Sequence, residues 1–266
     1  MALDSKILYD MKEKEVKIIY GRQPILEALK ADIKFDKLII SQDAKGEVIT
    51  EIKKIAQANN MYVQVVQEST IQNILTKNRI SKSVNHQSII GFTAIIEYQK
   101  LEDILPHIYE KGETPLIVIL DGVTDVGNFG AIVRSALCMG AHAVVTSFSN
   151  SAQINQIAMK ASAGALNMIP ICKEFSLRRA VEFLKYNGIQ ILATNVENGV
   201  YISNAKFTEP CAIIIGSEDH GVSAELLEKS HHKIHIPMTA NFDSLNVSVS
   251  AGIILYEAMK QRKGMK

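Results

Sequence analysis

The sequence predicts an α/β protein in two units, the larger built around a mostly parallel sheet. Three observations carry this. Apolar runs such as LIVIL (116–120) and CAIIIG (211–216) lack polar alternation, as strands buried on both faces do. Between such runs lie segments with apolar residues at helical spacing, so strands and helices alternate. The pattern breaks at 98–115, YQKLEDILPHIYEKGETP, where two prolines and mixed charge predict a linker with a short helix.

The first unit, residues 1–97, opens on VKIIYGRQPILEALKA (16–31), which reads as a strand, a glycine turn and a helix with Ile25, Leu26 and Leu29 on its apolar side. KLIIS (37–41) predicts a strand, 47–59 a helix, YVQVVQ (62–67) a strand, 69–77 a helix and IIGFTAII (89–96) a last strand. NRISKSVNHQS (78–88) is polar and basic without periodicity, as an exposed loop would be. The result is a small α/β sandwich.

The second unit, residues 116–266, starts as strand, turn, helix and strand across 115–147, a βαβ unit. Further strands are expected in NMIPICKE (167–174), IQILATNV (189–196), CAIIIGSE (211–218) and HKIHIPM (232–238). Helices are expected near 151–163, 176–187, 222–230 and 245–262. In the last region SLNVSVSA first reads as an alternating half-buried strand, yet only a helix fits the remaining length.

Composition narrows the function classes. A net charge of +1 over 266 residues means that a nucleic-acid partner would be held by local basic patches. The three cysteines, Cys138, Cys172 and Cys211, are far apart and form no C-x-x-C, which points to free thiols in a reducing cytoplasm. The N-terminal stretch is too charged for a signal peptide, and no apolar run approaches membrane-spanning length. A soluble, cytoplasmic protein is expected.

Ligands of open α/β sheets bind beyond the carboxyl ends of the strands, where three polar clusters fall. DGVTDVGNFGAIVRSA (121–136) sets Asn128 and Gly130 at a helix start and Arg134 about a turn further on. Helix N-termini attract anions, and an arginine adds a bidentate donor to phosphate. The plainer reading is a strand-to-helix turn whose Asn caps the helix and whose Arg lies in solvent. IIIGSEDHGVSAELL (213–227) puts Glu218 and Asp219 between Gly216 and Gly221; Glu218 could bind substrate or orient an Arg, or the stretch could be a turn with Ser223 as N-cap. Adjacent Glu218 and Asp219 point apart too readily for an acid/base pair. The third cluster, Ser244, Asn246, Ser248 and Ser250, is by itself only a solvated face. The histidines of HHKIH (His231, His232, His235) lack the acidic or thiol partners of a metal centre, so no metal is expected.

In order, DVGNFGAIVRSA, IIIGSEDHGVSAELL and IPMTANFDSLNVSVSAGIILYEA resemble the three motifs of the SpoU (TrmH) family of RNA 2′-O-ribose methyltransferases, in the SPOUT superfamily. The resemblance runs from about residue 116 to the end, and Ser-Leu-Asn-Val-Ser-Val is its most specific part. IIYGRQPILEALKA and NHQSIIGFTA similarly resemble the ribosomal-protein-like substrate-binding domain that precedes the catalytic domain in the bacterial large-subunit rRNA guanosine methyltransferases.

The resemblance implies a deep trefoil knot, a bound S-adenosylmethionine and a homodimer. By motif position the cofactor would meet Thr194, Gly216, Ile236, Leu245 and Asn246, and the catalytic set would be Asn128, Arg134, Glu218, Ser244 and Asn246. Asn128 would fix the ribose, Glu218 would orient Arg134 across the pocket, and Ser244, Leu245 and Asn246 would form a loop running into the last helix. Relatives use their arginine as a proposed proton acceptor; guanidinium stays protonated at neutral pH, so Arg134 is expected to position phosphate and 2′-oxygen instead. Arg22, Lys77, Arg79, Lys82 and His86 are the candidate RNA-facing residues. Val126 stands where many relatives have Pro, and Ser88 where they commonly have Gly. Ribosomal RNA is favoured as substrate. A tRNA substrate, a Rossmann-type nucleotide enzyme and a non-catalytic RNA-binding protein are the alternatives, and the missing G-x-G-x-x-G speaks against the second.

Overall fold

A computed structural model describes residues 16–59, 61–81, 83–195, 199–239 and 244–265. They divide into two compact units between Glu97 and Tyr98.

In the first unit, β1 (Ile18–Tyr20), α1 (Arg22–Lys30), β2 (Phe35–Ser41), α2 (Glu47–Ala58), β3 (Val63–Val66), α3 (Glu68–Lys77) and β4 (Ile89–Thr93) follow in order. The sheet runs β1-β4-β2-β3, with β2 parallel to β3 and both β1 and β2 antiparallel to β4. Side chains alternate across a strand. Leu38 and Ile40 therefore pack with Ile25 and Ile52 of α1 and α2, whereas Ile39 packs with Ile71 and Leu75 of α3. Covering both faces explains why β2 is buried nearly throughout and why Leu38, Ile39 and Ile40 run apolar without alternation.

The second unit begins with α4 (Leu101–Glu110), inside the segment expected as a linker with a short helix; its Leu101, Ile104, Leu105 and Ile108 are buried in this unit's core. There follow β5 (Leu116–Asp121), α5 (Val126–Cys138), β6 (Ala143–Ser147), α6 (Gln156–Ala161), β7 (Ile171–Glu174), α7 (Leu177–Tyr186), β8 (Gln190–Thr194) and β9 (Val200–Tyr201). The chain closes with β10 (Cys211–Gly216), α8 (Ala224–Lys229), β11 (His232–His235) and α9 (Val247–Arg262). The seven strands lie in the order β7-β6-β5-β10-β8-β11-β9, and every pairing is parallel. Ile117, Ile119, Ile191 and Ile214 face a core shared with α4, α7 and α8. On the opposite side α9 packs against α5. Among the described residues no helix is long and apolar enough to cross a membrane.

The far end of α9 is tied down by Arg262. Its guanidinium donates to the carbonyls of Phe207 (2.8 Å), Thr114, Pro115 (2.8 Å) and Glu209 (3.0 Å), on the segments that lead into β5 and β10. Cations also suit helix C-termini, where backbone carbonyls are unpaired.

Two histidines complete the sheet's opposite end. His142 Nδ1 accepts the Leu116 N–H at 3.0 Å, and His231 Nδ1 accepts that of Ile191 at 2.8 Å. An imidazole can accept there only while that nitrogen is unprotonated. Burial holds His142 below its ordinary range, outweighing the upward pull of Glu113. The unfolded chain therefore takes up this proton at higher pH than the fold does, and stability contributed by His142 falls as pH drops below about 6.5. In urea titrations, acidification from neutral pH is expected to lower stability through this position. His142→Gln, which offers an acceptor that does not titrate, should reduce that loss; an identical acid dependence in the variant would contradict the assignment.

Candidate active site

The carboxyl ends of β8, β10 and β11 frame a cavity of about 390 Å³. Thr194, Gly216, Ile236 and Leu245, four of the five residues expected at the cofactor, line it, together with Glu218 and Ser244 of the expected catalytic set. Ile215, Leu227 and Ile254 add apolar wall.

Gly216 ends β10 where the chain turns back on itself. Ser217 and Gly221 exchange backbone hydrogen bonds at 3.1 and 3.0 Å, folding the loop between them into a tight turn. A Cβ on Gly216 would stand 1.9 Å from the Gly221 carbonyl carbon, so only glycine lets the returning backbone approach. Asp121 Oδ2 then accepts the Ser223 N–H at 2.8 Å, anchoring the loop's exit to the end of β5. Ser223 is the N-cap residue of α8, but its side chain makes no capping bond.

Asn246 is the N-cap of α9. Its Oδ1 accepts from Ser248 N (3.0 Å), Val249 N (3.3 Å) and Ser248 Oγ (2.6 Å), while its Nδ2 donates to Glu218 Oε1 (2.6 Å) and Asn128 Oδ1 (3.2 Å). Both Nδ2 hydrogens and the acceptor oxygen are engaged, so this amide has no donor left for a ligand. Glu218 Oε1 also accepts Asn128 Nδ2 at 3.1 Å and the Val247 N–H at 3.3 Å. Asn128, Glu218 and Asn246 thus form one junction beside the cavity. The Ser-x-Asn-x-Ser pattern is the capping apparatus of a helix as well as part of this site.

Other expectations are placed differently. Asn128 does not cap α5; Asp125 does, its Oδ1 accepting the Asn128 N–H at 2.7 Å. Gly130 lies inside α5, where a Cβ would come within 2.7 Å of the Ala158 carbonyl oxygen, so it serves the contact with α6. Arg134 is exposed, and its side chain makes no hydrogen bond or ion pair among the described residues. Glu218 engages the two asparagines, not Arg134. Six residues along α5, Arg134 is turned about 120° around the axis from Asn128.

In the first unit, the Arg22 guanidinium donates to the carbonyls of Gln87 (3.2 Å) and Lys45 (2.8 Å), joining two loops. Lys77 and Arg79 are exposed, and Lys82 lies outside the described residues. His86, expected on the RNA-facing surface, is buried; its ring shares a 2.7 Å hydrogen bond with the Gln72 amide, and its Nδ1 accepts the Ser88 N–H at 3.2 Å. Ser88 has φ 65°, in the left-handed region that favours glycine.

Asp121 and Asp125 were not singled out from the sequence. Asp125 was findable, since an Asp three residues before its N–H partner at a helix start is a capping pattern. Asp121 bonds 102 residues away and left no local signal.

The SpoU rRNA Methylase family profile matches residues 115–256, and the profile for RNA 2′-O ribose methyltransferase substrate binding matches residues 18–99. YacO of Bacillus subtilis, which bears the name of a TrmH family tRNA/rRNA methyltransferase, is 30% identical over 92% of this chain and 95% of its own length. An uncharacterized tRNA/rRNA methyltransferase of Synechocystis is 32% identical over 95% of this chain, which spans only 65% of that relative's length. Among solved structures, the SpoU methyltransferase AviRb of Streptomyces viridochromogenes, in complex with the cofactor AdoMet, aligns with a TM-score of 0.58 at 21% identity, covering 95% of this chain and 93% of that one. That likeness is one of fold.

The junction yields a graded expectation. Asn246→Ala removes cap and bridge together and should lower unfolding stability by about 1–2 kcal/mol. Asn246→Ser keeps a capping oxygen but cannot bridge to Glu218 and Asn128, and should recover most of that loss in denaturant melts. Equal losses in both variants would mean that the cap is not what stabilises α9.

Proposed function

This chain belongs to the SpoU rRNA methylase family, and on that footing we propose that it is an S-adenosylmethionine-dependent RNA 2′-O-ribose methyltransferase of the cytoplasm, with ribosomal RNA favoured over tRNA. The observation that carries the reading is the Asn128–Glu218–Asn246 junction beside the cavity. The matched substrate-binding profile across residues 18–99 supports an RNA substrate. The family's deep trefoil knot belongs to the same reading; supporting it, β10 lies between β5 and β8, and the cavity is framed by the chain segments that follow β8, β10 and β11.

The cavity suits the proposed cofactor. Its volume of about 390 Å³ falls in the range of small-molecule clefts. Its walls combine apolar side chains with the closely approached backbone at Gly216, and the carboxylates of Glu218 and Asp219 favour a cationic sulfonium. Among the described residues, His235 Nδ1, on a lining residue, is buried without a hydrogen-bond partner. Thr194, Gly216, Ile236 and Leu245 would hold the group. When bound, it supplies an electrophilic methyl.

The chain's residues then have alignment as their task, which contributes roughly 7–11 kcal/mol in favourable cases. Asn128 commits one Nδ2 hydrogen to Glu218 and keeps the other for a ribose oxygen. Glu218 fixes Asn128 and the start of α9. Arg134 binds the phosphate beside the reacting ribose through its planar fork, and the hydroxyl proton leaves to phosphate or water.

The reading includes a homodimer. Val249, Ile253 and Tyr256 are 50%, 36% and 48% exposed along one stripe of α9, while Ala251, Leu255 and Ala258 are buried on the other side. A helix apolar on both sides needs a second cover.

Incubating the protein with cellular RNA and methyl-labelled S-adenosylmethionine, then mapping 2′-O-methylated positions, should show label at discrete riboses; label confined to bases, or none, would refute the reading. Arg134→Lys should slow transfer roughly 10- to 100-fold, the loss of a charge-assisted hydrogen bond, with cofactor affinity unchanged by calorimetry. Near-full turnover would remove the guanidinium from the mechanism. Ile253→Glu should convert dimer to monomer in sedimentation velocity with helix content intact.

A further inference from the structure

The parallel register extends the site's edge of the sheet to two phenylalanines. Gly216 pairs with Asp121, Leu120 with Thr146, and Ser147 with Glu174. One residue beyond each strand end, Ser217, Gly122, Phe148 and Phe175 therefore share a row at the carboxyl edge. The Phe148 N–H still donates to the Glu174 carbonyl at 3.0 Å, so the row is ordered as far as Phe148. Strands lie about 4.8 Å apart, which puts Phe148 about 10 Å and Phe175 about 14 Å along the edge from Ser217.

The two rings touch, with centroids 4.6 Å apart and planes inclined by 38°. Phe175 is 59% exposed. Lys173 holds its ammonium 4.7 Å over the Tyr98 ring and 5.9 Å over Phe148, giving the aromatic group a positive charge. Burial, with the Glu102 carboxylate adding to it, raises Glu174, the residue between Lys173 and Phe175, to about 7.

An exposed aromatic ring next to a cation, on the edge that carries the methyl-transfer pocket, matches the way proteins hold unpaired nucleotides: bases stack on rings and the backbone is attracted by positive charge. We propose that Phe175, supported by Phe148 and Lys173, is a stacking platform for an unpaired base of the RNA substrate, three or four stacked rises of about 3.4 Å from the pocket. The proposal rests on the RNA reading above.

The chain contains no tryptophan, so Phe175→Trp installs a single fluorescent reporter at the platform. With a mixed-sequence single-stranded RNA of about 20 nucleotides as probe, long enough to span such a groove, the indole emission of the Phe175→Trp variant should be quenched on saturation, and its affinity should equal or exceed that of the unsubstituted protein. Phe175→Ala should weaken binding of the same RNA roughly 5- to 100-fold, as loss of one stacked base does, with S-adenosylmethionine affinity and melting temperature unchanged. Phe175→Leu, apolar but without a π face, should behave like the alanine variant. Full RNA affinity in Phe175→Ala, or unquenched emission at saturating RNA, would overturn the platform. A change of oligomeric state in Phe175→Ala, seen in sedimentation velocity with RNA affinity retained, would overturn it in favour of a protein contact. If the unsubstituted protein neither binds nor methylates RNA, the functional reading itself fails; if it does both and only the variants disagree, the platform alone fails.

Discussion

A single carboxylate oxygen, Glu218 Oε1, holds together three segments that the chain brings from far apart. It receives the amides of Asn128 and Asn246 and the first backbone N–H of α9. A carboxylate can accept several donors at once, and the unpaired N–H groups of a helix start favour an anion there. The same contact therefore closes the site, begins the last helix and fixes the orientation of Asn128. Structure and proposed chemistry are coupled at this point because Asn246 is both cap and bridge.

That junction depends on how β10 ends. The strand lies between β5 and β8 and delivers Gly216 to the cavity, where the absent side chain lets residues 221–222 return against it. Asp121 anchors the returning loop, and the loop places Glu218 toward α9. Arg262 secures the other end of α9 to the entries of β5 and β10. A helix pinned at both ends can present one apolar side to the core and another to a partner without losing its register over the cavity.

The first unit works by different means. The whole chain carries a net charge of only +1, so on the proposed reading RNA affinity in this unit would depend on local cations such as exposed Lys77 and Arg79 and not on a general field. Arg22 and His86, expected with them on an RNA-facing surface, are engaged in holding loops: one joins the loops at Gln87 and Lys45, the other is buried against Gln72. Ser88 accepts a left-handed backbone and offsets part of that strain with a hydroxyl bond to Glu68 at 3.2 Å.

Most of the architecture was legible along the chain because it is governed by short-range periodicity. Apolar runs marked the buried strands, helical spacing marked α1, α2, α5 and α7, and the motif order marked the family. Strand β9 was not legible, since two residues cannot display an alternation. Nor were the partners in the site. Glu218 lies 90 residues from Asn128 and 28 from Asn246, and no local pattern states that it joins these two and leaves Arg134 aside. The burial of His86 and the use of Gly130 in helix packing are decided the same way, by what the folded neighbours occupy. Which residue types stand at strand ends and helix starts can be read along the chain, because those follow from backbone geometry. Which of them meet is set by the folded molecule, because a hydrogen bond is selected by distance in space and not by separation along the chain.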